Sequence, residues 1–323
     1  MIFDGHSDIW ADVTIRRLNG EKNILIDHHM ERLRKGQIEG GIFVIWVDPP
    51  FSGSPLQRNR QTMKAIGQTV LESDAYTIAR NYEEITAAKE AGQFYIVVGV
   101  EGLSGIGEDV DLIDGFYDFG ARHASLTWNE ENALASGVRG NPDRGLTEAG
   151  KRAVRRIQEL GMILDVSHLN DRSFWDVARM TEKPIVASHS NARTLSGVPR
   201  NLTDDQLLEI RDSKGLVGLN AFNHFVNTET EKQTLDSLVK HCVYIADKIG
   251  VEHLGFGFDF FEFLESESTK SYSSQAHPWI QGLEDCTKAP NLVEALRKEG
   301  FSQEELEGIK YKNWHRIIKT IVG

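Results

Sequence analysis

The chain has 323 residues, of which 40% are hydrophobic and 26% charged, a composition typical of a globular protein with a substantial core. Its 36 basic and 48 acidic side chains give a net charge of −12, which disfavours nucleic acid as a partner. Two cysteines, Cys242 and Cys286, are too few for a disulfide framework and indicate a reducing compartment. Since the chain shows neither a membrane-spanning apolar run nor a signal-peptide pattern, we expect a cytoplasmic protein that does not bind membranes.

Eight apolar runs rich in β-forming residues recur along the chain, separated by segments with helical patterns. The runs are nearly continuous in apolar character, which is typical of strands buried on both faces of a parallel sheet. They cover residues 2–8, 40–48, 94–102, 123–129, 162–168, 184–190, 215–222 and 253–260.

Three of the intervening segments carry clear helix signals. Residues 147–161 place their apolar side chains on one face, and Thr147 is a suitable N-cap. Residues 202–215 repeat this pattern with Thr203 as N-cap, and residues 234–250 predict a helix before the last strand.

The alternation of eight strands with helices predicts a (β/α)8 barrel that forms a single domain over residues 1–323. A doubly wound open sheet is the alternative, but no Gly-x-Gly-x-x-Gly sequence follows the first strand. The longest irregular segment, residues 264–279, predicts a long loop after the eighth strand.

Potential metal ligands stand at the ends of five predicted strands. They are His6 and Asp8 on the first strand, Glu101 on the third, His168 on the fifth, His189 on the sixth and Asp259 on the eighth. The carboxyl ends of barrel strands meet at one mouth, where barrel enzymes place their chemistry. Each residue alone has a purely structural explanation, such as a hydrogen-bonded pair, a satisfied core histidine or a turn cap. Six of them at one mouth favour a metal centre.

The residue types in this set indicate which ions would bind. Imidazole and carboxylate ligands suit zinc, with manganese and iron as competitors. Six ligands exceed the needs of one tetrahedral ion and match two ions that share a carboxylate. His6 and Asp8 are two residues apart on an extended chain, so their side chains face one side and reach the same ion. Of the other histidines, which we place outside the metal site, His224 is expected to line the mouth.

Several motifs occur in an order that is typical of a known family. They are DGHSD at 4–8, VEG at 100–102, DVSH at 165–168, SHSNA at 188–192, PRNLTDD at 199–205, GFGFDF at 255–260 and GLEDCTKAPNLVEALRKEGFSQEEL at 282–306. On these motifs the chain resembles the membrane (renal) dipeptidase family, peptidase family M19, including its soluble bacterial members. The resemblance extends from residue 4 to about residue 318.

This resemblance implies a (β/α)8 barrel with two zinc ions. It implies that His6, Asp8 and Glu101 hold one zinc and that Glu101, His168 and His189 hold the other. Glu101 would therefore bridge the two ions and contribute to catalysis as well as to metal binding.

The resemblance also implies roles around the metals. Asp259 would transfer protons beside a metal-bridging hydroxide, and Arg200 would bind the carboxylate of the substrate. Many members of the family have a histidine after the fourth strand that helps to hold the substrate carbonyl. Trp128 takes that place here, and either Trp128 or Asn129 is then the candidate to contact the substrate.

The implied function is hydrolysis of the amide bond of dipeptides, including L-Xaa-D-Xaa dipeptides, by a zinc metallopeptidase. The resemblance further implies a homodimer. Two alternatives stay open, namely another dinuclear-metal amidohydrolase or lactonase and a non-catalytic metal-binding barrel. Many amidohydrolases use His-x-His after the first strand and a carboxylated lysine on the fourth, and neither is present here, which argues against the first alternative.

Overall fold

The computed structural model describes residues 1–264 and 278–323. Each of the eight predicted runs overlaps one strand, although β2 and β5 begin two residues before their runs, and a further strand that was not predicted, β3, pairs only with β4. In chain order the strands are β1 Ile2–Ser7, β2 Ile38–Trp46, β3 Tyr76–Ile78, β4 Phe94–Glu101, β5 Ala121–Ser125, β6 Ile163–Asp165, β7 Val186–Ala187, β8 Leu216–Leu219 and β9 Leu254–Phe256.

Helices follow or precede nearly every strand. In the described ranges the α-helices are α1 Ile9–Leu18, α2 Glu31–Lys35, α3 Pro55–Val70, α4 Tyr82–Glu90, α5 Leu112–Phe119, α6 Glu148–Glu159, α7 Asp171–Ala178, α8 Asp204–Asp212, α9 Asn223–Val226, α10 Leu235–Ile249, α11 Ala289–Lys298, α12 Gln303–Glu307 and α13 Asn313–Ile321. Two short π-helical segments, Leu25–Met30 and Gly308–Lys312, precede α2 and α13. Within residues 1–264 and 278–323, every helix is too short or too polar to cross a membrane.

The strands close into a parallel barrel. β1 pairs with β2 on one side and with β9 on the other, and β2 pairs with β4 from Gly40–Tyr95 to Trp46–Glu101. β4 through β9 then pair in chain order, which completes a ring of eight strands. The predicted (β/α)8 barrel is confirmed, and the open sheet is excluded because the ring has no free edge.

Alternate residues of each strand belong to different parts of the core. On β2, Phe43 and Ile45 join one large cluster, whereas Ile42 and Val44 join a second cluster that also contains Trp314 of α13. This alternation follows from the two-residue period of a strand, which sends successive side chains to opposite faces. Both faces are apolar because one packs on the surrounding helices and the other fills the barrel.

The predicted helices begin where their N-caps indicate. The Thr147 hydroxyl accepts a hydrogen bond from Gly150 N at the start of α6, and Thr234 caps α10 in the same way. Thr203 and Gln206 form a reciprocal capping box at the start of α8. These bonds satisfy backbone N–H groups that have no partner inside the helix.

Several strands are shorter than the predicted apolar runs. The run over 162–168 contains a strand of only three residues, and the run over 184–190 contains one of two. His168 and Asp259 stand three residues beyond the ends of β6 and β9, and their φ angles are 72° and 61°. Those side chains therefore project from loops that follow the strands, which corrects the expectation that they lie on the strands themselves.

The barrel interior predicts a steric test at Gly5 of β1. A Cβ atom on Gly5 would lie 2.1 Å from Cζ2 of Trp314 and 2.8 Å from the Phe256 carbonyl oxygen. We expect Gly5→Ala to lower the free energy of unfolding of the metal-free protein by about 1–3 kcal/mol, because the packed ring cannot yield without strain. Urea unfolding measures this change.

Gly67→Ala is the matched control, because its new methyl group meets no atom within 4 Å on the exposed face of α3. An alanine there should be neutral or stabilising by about 0.5–1 kcal/mol. Equal stability of Gly5→Ala and the natural protein would contradict this account of the interior.

Candidate metal centre

The six predicted side chains converge at the carboxyl end of the barrel. They come from β1 and the residue after it, from the last residue of β4, and from the loops after β6, β7 and β9; they are His6, Asp8, Glu101, His168, His189 and Asp259. All of them are buried apart from Asp259, which is partly exposed. Five separate elements therefore deliver polar groups into one water-poor volume.

One carboxylate oxygen lies at the centre of this group. Oε1 of Glu101 is 2.9 Å from Nε2 of His168, 3.4 Å from Nε2 of His189 and 3.5 Å from Nε2 of His6. The rings of His6 and His189 stack with their centroids 3.7 Å apart. Three imidazoles that share one oxygen form the arrangement expected of a carboxylate between two metal ions.

A second group of ligands adjoins His6. Its Nε2 atom is 3.9 Å from Oδ2 of Asp8 and 3.8 Å from Oδ1 of Asp259. Both ring nitrogens of His6 and Oδ1 of Asp8 are buried and have no hydrogen-bond partner within residues 1–264 and 278–323. Polar atoms that are buried without a partner are costly, and a bound cation would satisfy them.

The pKa shifts of the buried side chains also favour a bound cation. Burial lowers the pKa of His6 to about 3 and lowers those of His168 and His189 well below the usual histidine range. Burial, reinforced by neighbouring carboxylates, raises the pKa of Asp8 and of Glu101 well above their usual ranges. The neutral imidazoles are in the form that binds metal, and a dication would stabilise the carboxylates as anions.

The side chains of His168 and His189 lie unusually close together. Nε2 of His168 is 2.8 Å from Nε2 of His189, and both atoms face Glu101. Two lone pairs at this distance repel unless a proton or a cation lies between them. The donor set of imidazole nitrogen and carboxylate oxygen thus fits metal ions of the zinc, manganese and iron type.

Asp259 lies at the edge of the centre. Its Oδ2 atom accepts a hydrogen bond of 3.0 Å from Nδ2 of Asn220, on the segment that follows β8. Burial raises the pKa of Asp259 to about 7, while the positive charge of Arg200 and the bond from Asn220 oppose that rise. A carboxyl group with such a pKa can accept and release a proton near neutral pH.

Arg200 brings a buried positive charge to the same volume. Its Nε atom lies 3.1 Å from Nδ1 of His168, and its Nη atoms contact Ser190 Oγ and the His189 carbonyl oxygen. Burial lowers the pKa of Arg200 to about 10, so the side chain stays charged at neutral pH. A buried guanidinium that faces a cavity is a binding site for an anion.

Asn129 contacts a predicted metal ligand. Its Oδ1 atom lies 2.9 Å from Nδ1 of His168, the nitrogen that Arg200 also approaches. Nδ1 cannot donate to Asn129 and accept from Arg200 at the same time. If Nε2 of His168 binds a metal, Nδ1 carries the proton and donates to Asn129, and the Nε–H of Arg200 needs another acceptor.

A cavity of about 230 Å³ opens over the centre. Its lining includes Glu101, His168, Arg200, Asp259, Asn129 and Trp128, together with an apolar wall of Val138, Val198, Pro199, Phe222, Phe225 and Phe261. His224 also lines the cavity, as the sequence predicts. The Trp128 ring lies between Trp46 and His168, at centroid distances of 5.5 and 6.1 Å, and shapes one side of the cavity.

Several polar residues that support the site were not predicted. Asp165 and Ser188 contact each other beneath His189, and Asn220 holds Asp259. Asp165 and Ser188 stand within the DVSH and SHSNA motifs, so their positions close to the predicted ligands His168 and His189 were a signal in the sequence. Asn220 had no such signal. Of the predicted loop 264–279, residues 265–277 lie outside the described residues, and Trp279 forms a β-bridge with Phe222.

A closed parallel barrel with these ligands at its mouth defines a metal-dependent hydrolase of the (β/α)8 class. The chain belongs to the membrane dipeptidase family, peptidase family M19, whose family model matches residues 1–322. Family membership makes the protein a metallodipeptidase and confirms the resemblance inferred from the motifs.

Individual relatives agree with this assignment. An uncharacterized dipeptidase of Schizosaccharomyces pombe is 30% identical, and the match covers 99% of this chain and 80% of the relative. A crystal structure of an M19 metallopeptidase, dipeptidase AC, superposes with a TM-score of 0.88 at 27% identity, covering 100% and 98% of the two chains. A Rhodobacter sphaeroides metallopeptidase, crystallised with a phosphinate mimic of L-Ala-D-Ala, gives 0.87 at 26% identity and covers 99% of each chain.

A buried histidine of α10 predicts a pH dependence of stability. His241 of α10 accepts a hydrogen bond from Ala192 N at Nδ1 and donates one to the Val226 carbonyl oxygen from Nε2. Burial lowers the pKa of His241 to about 4, below the value of about 6.5 in the unfolded chain. As the pH falls from 6.5 towards 4, the unfolded chain takes up a proton that the folded chain excludes, so this contribution to stability is progressively lost.

We expect His241 to contribute about 2–3 kcal/mol to the loss of unfolding free energy between pH 7.5 and 4.5, measured by urea unfolding of the chelated protein. Between these two pH values, the loss of unfolding free energy should be about 2–3 kcal/mol smaller in His241→Gln than in the natural protein. An unchanged pH dependence in His241→Gln would refute the assignment.

Proposed function

We propose that this metallodipeptidase holds two zinc ions and cleaves dipeptides, including L-Xaa-D-Xaa dipeptides. The observation that carries the proposal is the convergence of three imidazoles on Oε1 of Glu101 beside the buried cation of Arg200. The first feature fits a pair of ions, and the second fits the carboxylate of a short peptide.

The proposed ligand sets follow the geometry. His6, Asp8 and Glu101 would hold one zinc, and Glu101, His168 and His189 would hold the other, so that Glu101 contributes to both sites. Bound zinc would supply Lewis acidity and would lower the pKa of a coordinated water. The buried surroundings of these residues keep competing water away and strengthen electrostatic interactions within the site.

Arg200 is proposed to select the length of the peptide. Its Nε atom is 3.1 Å from a ring nitrogen of His168, so a carboxylate bound to the guanidinium would lie next to the metal ligands. Only a substrate whose carboxylate is about one residue from the scissile bond meets that requirement. A dipeptide does so, whereas a longer peptide places its terminal carboxylate farther away.

Asp259 is the proposed proton carrier. Its carboxylate lies at the edge of the metal centre, where it could take a proton from the attacking water and deliver that proton to the leaving nitrogen. Asn220 holds one oxygen of the carboxylate, which leaves the other oxygen facing His6 and the reacting groups. A fixed orientation of this kind places the proton carrier before the reaction begins.

The stereochemical part of the proposal has separate support. The Rhodobacter sphaeroides relative was crystallised with a mimic of L-Ala-D-Ala, a dipeptide with a D-residue on the leaving side. In the present chain that residue would contact Arg200 and the adjoining apolar wall, where the ring centroid of Phe225 lies 5.3 Å from Cζ of Arg200. Trp128 and Asn129 are proposed to contact the other part of the substrate.

Hydrolysis of a small peptide panel tests the proposed function. We expect cleavage of L,L and L,D dipeptides by the zinc-loaded protein, loss of activity after chelation, and recovery when zinc is restored. Dipeptide amides, which lack the carboxylate, should show a kcat/KM about 10–100-fold lower because Arg200 loses its charged partner. Absence of cleavage from a sample with two bound zinc ions would refute the proposed dipeptide substrates and favour first a different amide or ester substrate and then a non-catalytic metal-binding barrel.

Replacement of the proton carrier tests the mechanism. Asp259→Asn should lower kcat by about 10²–10⁴-fold, because the amide cannot carry the proton, while metal analysis still finds two zinc ions. Asp109→Asn removes an exposed carboxylate and should leave kcat unchanged. Loss of a zinc ion in Asp259→Asn would instead identify Asp259 as a metal ligand, and a natural kcat would exclude it from proton transfer.

A further inference from the structure

A buried carboxylate lies beneath the metal centre without being one of its predicted ligands. Asp165, the last residue of β6, accepts hydrogen bonds at Oδ1 from the backbone N–H groups of Ser167 and Ser188, at 2.9 and 3.0 Å. Its Oδ2 atom lies 2.5 Å from Oγ of Ser188 and 3.0 Å from Nε2 of His123. The backbone groups can only donate, so Oδ1 is an acceptor. Although burial opposes it, the hydrogen bonds from His123 and Ser188 hold the pKa of Asp165 below its usual range, so Oδ2 of the ionised carboxylate is an acceptor as well.

The Ser188 hydroxyl connects this carboxylate to a metal ligand. Oγ of Ser188 lies 2.5 Å from Asp165 and 2.7 Å from Nδ1 of His189. A hydroxyl has one proton, and its short contact with the carboxylate shows where that proton goes. Towards His189 the hydroxyl can therefore only accept, so Nδ1 of His189 must carry a proton.

The consequence concerns the opposite side of the ring. A neutral imidazole with its proton on Nδ1 has a lone pair on Nε2, and Nε2 of His189 faces Glu101 and His168. The ring is thus prepared to bind a cation at the proposed second zinc site. If the proton were on Nε2, the same ring would direct a donor at that site and could not ligate.

We propose that Asp165, acting through Ser188, is a positioning residue that sets the tautomer of His189 and thereby the zinc affinity of the site formed by Glu101, His168 and His189. This inference rests on the two-zinc centre proposed above. Partners of this kind around metal ligands typically change metal affinity by about 10–100-fold when they are removed. Neither Asp165 nor Ser188 needs to touch the substrate for this effect.

Asp165→Asn tests the direction of the hydrogen bonds. With its oxygen towards the two backbone N–H groups, the amide places an NH₂ group at Ser188, so the hydroxyl must turn and donate to His189. Nitrogen-15 NMR of the metal-free protein should show the His189 proton on Nδ1 in the natural chain and on Nε2 in the variant. Zinc titration should show one ion bound about 10–100-fold more weakly and the other nearly unchanged.

Ser188→Ala provides a second variant in case Asp165→Asn does not fold. It removes the acceptor at Nδ1 without introducing a donor, so it should also weaken one zinc ion selectively. Ser173→Ala is the matched control, because Ser173 is a buried serine whose hydroxyl donates to the Ser136 carbonyl oxygen away from the metal ligands. That control should bind both zinc ions with natural affinity.

The outcomes separate this inference from the proposed function. Natural tautomer and natural zinc affinity in a folded Asp165→Asn variant, or in Ser188→Ala, would overturn the positioning role even if the enzyme cleaves dipeptides. Failure of the natural protein to bind two zinc ions or to cleave any dipeptide would overturn the proposed function, whereas the tautomer of His189 in the metal-free chain would still be measurable. Recovery of kcat in the variants at saturating zinc supports positioning rather than direct catalysis.

Discussion

The structure depends on one electrostatic constraint, which is the placement of Glu101 and three imidazoles in a volume that excludes water. Removing charged groups from water costs several kcal/mol for each ion unless opposite charges and hydrogen bonds compensate. The positive charge of Arg200 opposes the effect of burial on Glu101 and Asp259, but burial still raises the pKa of both carboxyl groups. A metal-loaded centre removes this imbalance, because dications compensate the carboxylates and occupy the lone pairs of the imidazoles.

The fold meets this constraint by ending its strands early. β6 and β7 are only three and two residues long, and the backbone at His168 and Asp259 adopts positive φ angles. Such conformations cost non-glycine residues about 1 kcal/mol or more and persist only where surrounding contacts hold them. Here the Val138 N–H donates to the His168 carbonyl oxygen, and Asn220 holds the Asp259 side chain. The local strain therefore turns polar side chains out of the strand direction and into the mouth.

Chemical roles in the cavity are separated by what each residue can donate or accept. Arg200 can only donate hydrogen bonds, which suits a substrate carboxylate, whereas the carboxyl group of Asp259 can accept and release a proton. The aromatic wall contributes shape and apolar contact without competing for protons. Trp128 joins that wall beside Trp46, so this position provides an aromatic surface.

The sequence by itself determined the barrel and the six polar side chains at its mouth. It could do so because an apolar run indicates a buried strand and a polar residue at the end of the run indicates where the strand ends, and both are local patterns. Thr147 and Thr203 marked the starts of their helices for the same reason, since capping acts over three residues. Only the tertiary structure decided which atoms meet. Three imidazoles meet one oxygen of Glu101, and Asn129 and Arg200 compete for the same nitrogen of His168. Ser188 links Asp165 to His189. These contacts join residues that are up to about a hundred positions apart in the sequence. Pairings over such separations depend on how the chain closes the barrel, and no local pattern encodes them.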